Sequence, residues 1–263
     1  MRVQMVELGL RAVLGGSKLQ RTPRADLDDN AGFARDRLPM IAVHHLNNSR
    51  SQRVLWLLEE LGIPYKIRKY ERDPRTMLAP PALTKVHPLG KSPVITDGDI
   101  TVAESGAIIE YLVERYDDGR LAPPIGTPER LRWRYWLHFA EGSAMTPLLI
   151  KLICDQVAKA PMPFFARPVA RAISARVQAT TVEPNLKRQW DFMESELTQH
   201  KWFAGGEFSA ADIQMSFPIE AAVQGGGLDA NWPKLLRYLK RIHARPAYKR
   251  ALKAGGPYSF AEE

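Results

Sequence analysis

The stretch from Ile41 to Gly62 constrains the fold more than any other part of the sequence. Its apolar run Ile41-Ala42-Val43-His44-His45-Leu46 stops at Asn47-Asn48-Ser49, and a helical stripe of Val54, Leu57, Leu58 and Leu61 then takes over. A strand therefore feeds a helix. Gly62 accepts the left-handed stop and Pro64 cannot continue the helix, so its end is equally legible. The helix N-terminus opens beside Ser49 at the carboxyl end of the strand, with unpaired N–H groups and a partial positive charge. Such a spot suits an anion.

The following residues extend this start into a layered unit. Tyr65 to Glu71 reads as a second strand, parallel to the first, and a short helix is expected over Pro81 to Val86. Val94 to Thr96 and Ile100 to Ala103 flank Asp97-Gly98-Asp99, a tight-hairpin signal. Glu104 to Tyr116 then reads as a helix with Ile108, Ile109, Leu112 and Tyr116 facing inward. Residues 40–117 thus give β-α-β-α-β-β-α, an α/β layer, and residues 118–128 form a linker rich in proline and glycine.

From residue 129 onward the patterning is helical only, with helices expected over Arg130 to Ala158, Phe164 to His200, Ser209 to Val223 and Pro233 to Leu252. Phe208-Ser209-Ala210-Ala211-Asp212-Ile213 has the form of a capping box with its hydrophobic staple. An all-α domain over 129–252, with a tail at 253–263, is the expectation. Residues 1–39 hold two apolar patches without a sustained period and read as a disordered extension. Met40, immediately before the first strand, is a candidate natural start.

Composition excludes several classes. A single cysteine, Cys154, leaves no disulfide framework, no paired redox motif and no cysteine-rich zinc site, and it fits a reducing, cytoplasmic compartment. Lying in an apolar helix, it reads as an inert buried thiol. No apolar run is long enough for a transmembrane segment. The net charge of +8 divides along the chain as +2 over residues 1–39, 0 over 40–128 and +6 over 129–263. The excess lies at helical spacing without a nucleic-acid motif, which makes it a solvated face and nucleic acid no partner. His44 and His45 alternate on a strand without further ligands at metal spacing, so no metal is expected.

Three pieces of sequence resemble the cytosolic glutathione S-transferase superfamily: Asn47-Asn48-Ser49-Arg50-Ser51-Gln52-Arg53-Val54 after the first strand, His87-Pro88-Leu89-Gly90-Lys91-Ser92-Pro93-Val94-Ile95 before the third, and Ala103-Glu104-Ser105-Gly106-Ala107-Ile108-Ile109-Glu110-Tyr111-Leu112 at a helix start. The stretch from Ala160 to Ile173 is similar to the yeast-type branch and its bacterial relatives. The resemblance implies a thioredoxin-like N-terminal domain, an all-helical C-terminal domain, a homodimer, and glutathione as co-substrate with no other cofactor.

Glu104 and Ser105 have a physical reason to bind such a ligand. Opening a helix, the Ser105 hydroxyl and adjacent N–H groups suit a carboxylate, while Glu104 accepts from an ammonium. One α-amino acid end presents both groups, and the resemblance makes it the γ-glutamyl end of glutathione. It further implies a cis Ser92–Pro93 bond that turns main chain toward the cysteinyl unit, and Lys91 near the glycyl carboxylate.

Ser49 is the candidate catalytic residue. Ser49-Arg50-Ser51-Gln52 also fits a capping box, in which Ser49 would only cap the first helix. The resemblance supplies the other role, a hydroxyl donating to the glutathione sulfur, for which Ser51, Asn47 and Asn48 are alternatives. Trp136 and Phe139, at helical spacing, are either core or, with Met145 and Phe164, the wall of a pocket for a hydrophobic electrophilic small molecule. Two functions stay open: an enzyme joining the glutathione thiolate to such electrophiles, with peroxidase activity beside it, or a non-catalytic ligand-binding module of the same fold.

Overall fold

A strand is central here because its two neighbours lie on either side of it. In the computed structural model, which describes residues 40–261, β1 (Ile41–Leu46) pairs in parallel with β2 (Tyr65–Tyr70) and antiparallel with β3 (Val94–Asp97). β3 pairs antiparallel with β4 (Ile100–Ala103), giving the order β2-β1-β3-β4. Val43 faces Ile67 on one side and Ile95 on the other. Ile41, Val43 and Ile95 are buried, as a middle position demands.

Helix α1 (Ser51–Leu61) ends at Gly62, which takes φ +70°. A 3₁₀ turn spans Pro81–Lys85, and α2 (Ser105–Tyr116) follows β4. The helical half comprises α3 (Pro128–Phe139), α4 (Met145–Lys159), α5 (Arg167–Val177), α6 (Glu183–Gln199), α7 (Ala210–Ala221), α8 (Pro233–His243) and α9 (Pro246–Gly255). Thr127 caps α3 by accepting from the Arg130 N–H at 3.2 Å. The α7 box forms with Asp212 accepting from the Ser209 N–H at 2.9 Å and the Phe203 N–H at 3.0 Å, while Phe208 packs against Trp202 and Trp56. Cys154 is a buried free cysteine.

Three helical expectations change in detail. The run from α3 to α4 is continuous but contains a π turn at Ala140–Ala144, and others lie at Gln178–Val182 and Ala222–Gly226. The helix expected from Phe164 begins only at Arg167, after the proline-framed loop Pro161-Met162-Pro163. The run from Pro233 to Leu252 is two helices, because Pro246 bars helical geometry at Arg245, whose φ and ψ are −65° and 133°.

Residues 40–261 share one continuous core. Trp56 of α1 meets Tyr248 of α9 edge-on at 5.1 Å, and Arg245 grips Glu60 at 2.5 and 2.9 Å. Arg250 reaches Glu59 at 2.6 Å, and the Asn48 side chain accepts from the Ser259 N–H at 2.9 Å. The final helix and the segment after it thus clasp the first helix and the loop before it. No helix among the described residues is long and apolar enough to cross a membrane. The extension over residues 1–39 and the last two residues of the tail lie outside the described residues.

Candidate functional site

The β1–α1 loop, the segment before β3 and the start of α2 meet at one end of the sheet because each follows or precedes a strand edge there. Between them lies a cleft of about 140 Å³ lined by Arg50, His87, Leu89, Lys91, Ser92, Pro93, Ala103, Glu104, Ser105 and Glu141. The five residues singled out for glutathione, Lys91, Ser92, Pro93, Glu104 and Ser105, all face it. The Ser92–Pro93 bond is cis. The Ser92 hydroxyl is committed to β1, donating to the His44 carbonyl at 2.8 Å and accepting from the Leu46 N–H at 3.3 Å, so what Ser92 offers a ligand is main chain.

Glu104 stands at φ +71° and ψ 127°, a conformation costly for a residue with a Cβ, and it retains the first helical bond through its carbonyl to the Ile108 N–H at 2.9 Å. Its carboxylate is exposed and has no bonded partner among the described residues. Ser105, the first residue of α2, is buried, and its hydroxyl accepts from Arg53 at 3.1 Å.

Arg53 is the hub behind the cleft. Only 1 % exposed, it also donates to the Gln214 carbonyl at 2.6 Å and to Glu141 at 2.5 Å. Arg50 meets the other oxygen of Glu141 at 3.1 Å. Burial alone would raise the Glu141 carboxyl, but Arg53 and Arg50 outweigh it and hold the group below its ordinary range. Glu141 sits in the π turn between α3 and α4, whose extra residue re-aims the side chains of that helix face. Arg50, Arg53 and Phe217 pack together, the two guanidinium groups lying 5.2 and 5.4 Å from the ring centre.

Ser49 lies behind this surface and is buried. Its hydroxyl meets the Ser51 hydroxyl at 2.7 Å, and Ser51 meets His45 Nδ1 at 2.8 Å. Burial, helped by Lys69, pushes the His45 pKa down to about 4, against a hydrogen bond with the Gly255 backbone, so the imidazole is neutral near pH 7. The capping box expected at Ser49 is absent: the N-cap is Arg50, Ser49 accepts from the Ser51 N–H at 3.3 Å, and neither polar atom of the buried Gln52 side chain has a partner among the described residues. The chain Ser49–Ser51–His45 replaces it.

The proposed electrophile wall is corrected in part. Trp136, 1 % exposed, is sealed in the helical core, stacked on Phe192 at 5.5 Å and touching Phe139 and Phe203. Phe139 belongs to the same buried cluster. Phe164 projects into solvent on the α4–α5 loop. Met145, four residues beyond Glu141, is half-buried and packs against the same core without lining the cleft.

Sequence reading missed Arg50, Glu141 and His87 as cleft residues and His45 as the end of a hydrogen-bond chain. His87 and Arg50 stood inside the quoted motifs and were passed over. Glu141 had no local signal, since its partner Arg53 is 88 residues away.

Comparison with known proteins agrees with this architecture. The family description "Glutathione S-transferase, N-terminal domain" matches residues 49–115, and "Glutathione S-transferase, C-terminal domain" matches residues 153–246. The chain is 36 % identical over 209 residues to Glutathione S-transferase 3 of Schizosaccharomyces pombe, covering 79 % of this chain and 85 % of that one. It is 34 % identical over 219 residues to Glutathione S-transferase 1 of Saccharomyces cerevisiae, with 80 % and 93 % covered. A solved glutathione S-transferase from Actinobacillus pleuropneumoniae superposes with a TM-score of 0.67 at 31 % identity, over 85 % of this chain and 97 % of that one.

Proposed function

This chain belongs to the glutathione S-transferase family, and we propose that it conjugates the glutathione thiolate to hydrophobic electrophiles. The sulfur forms a bond to the electrophilic carbon, and the leaving group departs with its electron pair. The same thiolate would serve glutathione-dependent peroxide reduction as a second activity. One observation carries the reading: five residues chosen from sequence for glutathione line a single cleft.

In this reading Glu104 takes the ammonium of the γ-glutamyl end, Ser105 and the α2 N-terminus its carboxylate, the Ser92 main chain the cysteinyl unit, and Lys91 with His87 the glycyl carboxylate. Thiol activation falls to the N-terminus of α1. Lowering a thiol pKa from about 8.5 by about two units needs about 2.7 kcal/mol. A hydrogen bond to the charged sulfur supplies about 1.5–3 kcal/mol, and the helix terminus about 0.3–1 kcal/mol. In this reading the Ser49 hydroxyl, buried behind the cleft, would exchange its bond to Ser51 for one to the sulfur, with the Arg50 guanidinium adding positive charge from the cleft wall. The electrophile enters beside Arg50 and Glu141.

A second reading, a non-catalytic glutathione-binding module, is favoured by one observation, the inward bond of Ser49 to Ser51. Glutathione-agarose retention together with turnover of a panel of aryl halides, epoxides and hydroperoxides separates the two. Retention without turnover selects the module, and absence of retention removes both. We further assign a homodimer and a cytoplasmic location. Leu131 and Tyr135, exposed one turn apart on α3, are a face that a second subunit would cover.

A further inference from the structure

The ends of α4 and α5 and the loop joining them show an apolar surface that the protein's own core does not use. Phe164 is 81 % exposed, Phe165 70 %, Val169 59 % and Ile173 60 %, and an open groove of about 510 Å³ runs between Val157 on α4 and the Val169–Ile173 face of α5, floored by Met162. Single exposed apolar residues need no explanation, but a contiguous patch of this kind marks a surface that something covers. Pro161, Pro163 and Pro168 frame the loop and fix its course before anything binds.

The charges of the same segment identify the occupant. Residues 156–177 carry four basic side chains, Lys159, Arg167, Arg171 and Arg176, all exposed, and no acidic one. The nearest carboxylate along α4, Asp155, is already paired with Lys151 at 3.0 Å. On α5, Arg167 and Arg171 stand about 200° round the helix from Val169 and Ile173, so its first two turns are basic on one side and apolar on the other, while Arg176, about 20° round from Val169 and two turns on, borders the apolar side at the helix end. Two phenylalanines at a proline-framed tip, an apolar helix face and flexible cations are the combination that settles into a lipid–water interface, the apolar face buried and the cations reaching up to headgroup phosphates. A second copy of the same tip would bring four positive charges against four. We propose that the α4–α5 hairpin docks on the surface of an anionic lipid bilayer, which holds the enzyme where hydrophobic molecules collect. The inference stands on this hairpin alone and does not depend on the chemistry of the cleft.

The test is co-sedimentation of the full chain with vesicles of phosphatidylcholine alone and of phosphatidylcholine with about 30 % phosphatidylserine. Binding should favour the anionic vesicles by about tenfold or more, since each cation near such a surface contributes about fivefold, and it should fall as salt rises from about 0.1 to about 0.5 M. Phe165→Ser with Ile173→Ser should lower binding about tenfold, and separately Arg167→Glu with Arg171→Glu about 25-fold or more, each with an unchanged melting temperature. Equal binding of both variants and wild type, or no association with anionic vesicles, overturns the proposal. A change in the sedimentation mass of the Phe165→Ser, Ile173→Ser variant without lipid also overturns it, because the patch then faces a second copy.

Discussion

Arg53 donates to Ser105 at 3.1 Å from a side chain that also holds the Gln214 carbonyl of α7 and Glu141 of the α3–α4 turn. A residue of the first helix thereby sets the hydroxyl that opens the second, and both answer to the helical half. Arg53→Met should lower stability by about 3 kcal/mol, the low end for breaking a buried pair because Glu141 is partly exposed. Glutathione should bind at least tenfold more weakly in the folded fraction. Denaturant unfolding and titration calorimetry check the two effects separately.

Glu104 separates binding from stability. Its positive φ is strained for any residue except glycine, and its carboxylate accepts no hydrogen bond among the described residues, acting within the protein through its charge on Arg50. Glu104→Gly should therefore raise stability by about 1 kcal/mol while weakening glutathione by about 1.5–3 kcal/mol. Unchanged affinity in the variant would remove Glu104 from the ligand site.

Ser49→Ala tests the activating role. If the hydroxyl holds the thiolate, the pKa of bound glutathione should rise by about one to two units, and turnover at neutral pH should fall with it. Thiolate absorbance of the complex against pH reads this directly. An unshifted titration passes the role to Arg50, where Arg50→Ala should then move it.

The buried His45 gives a pH dependence of defined sign. Its folded pKa of about 4 lies below the unfolded 6.5. Between these values the unfolded chain binds more protons, so stability is lost as pH falls through that window, by up to about 3 kcal/mol. Asp212, pushed up to about 7 by burial against the hydrogen bonds it accepts, works in the opposite sense. The comparison is therefore a difference: His45→Asn should flatten the loss between pH 6.5 and 4 relative to wild type, measured by urea unfolding. Identical pH profiles would show that His45 titrates normally.

Sedimentation at micromolar concentration should give twice the 29.7 kDa chain mass. Leu131→Glu with Tyr135→Glu should give the single mass, because it places charge in the proposed subunit contact. A wild-type chain at single mass ends the assignment.

The elements that were legible in sequence are those whose cause is local. The change of period between Leu46 and Val54, the stop at Gly62 and the hairpin at Gly98 each depend on neighbours along the chain, and their positions agree with the structure to within a residue or two. Lys91, Ser92, Pro93, Glu104 and Ser105 likewise sit inside short motifs, and they line one cleft. Trp136 was ambiguous for a physical reason, since an aromatic at helical spacing has the same pattern whether it faces a core or a ligand. The break before Pro246 was masked by an apolar period that continues through it. Glu141 depends on contacts across 88 residues and on a π turn, neither of which leaves a periodic trace.

The clasp between Asn48 and Ser259 spans 211 residues of chain. At about 5–20 residues per second, roughly 10–40 s of translation separate the two partners. During that interval α1 exists without α9, with Trp56, Glu59 and Glu60 lacking their covers. The β1–α1 loop, which the proposed function places at the thiol, therefore gains its Ser259 anchor only after those 211 residues have been added, and a ligand that binds the anchored loop would stabilise that form over the unanchored one.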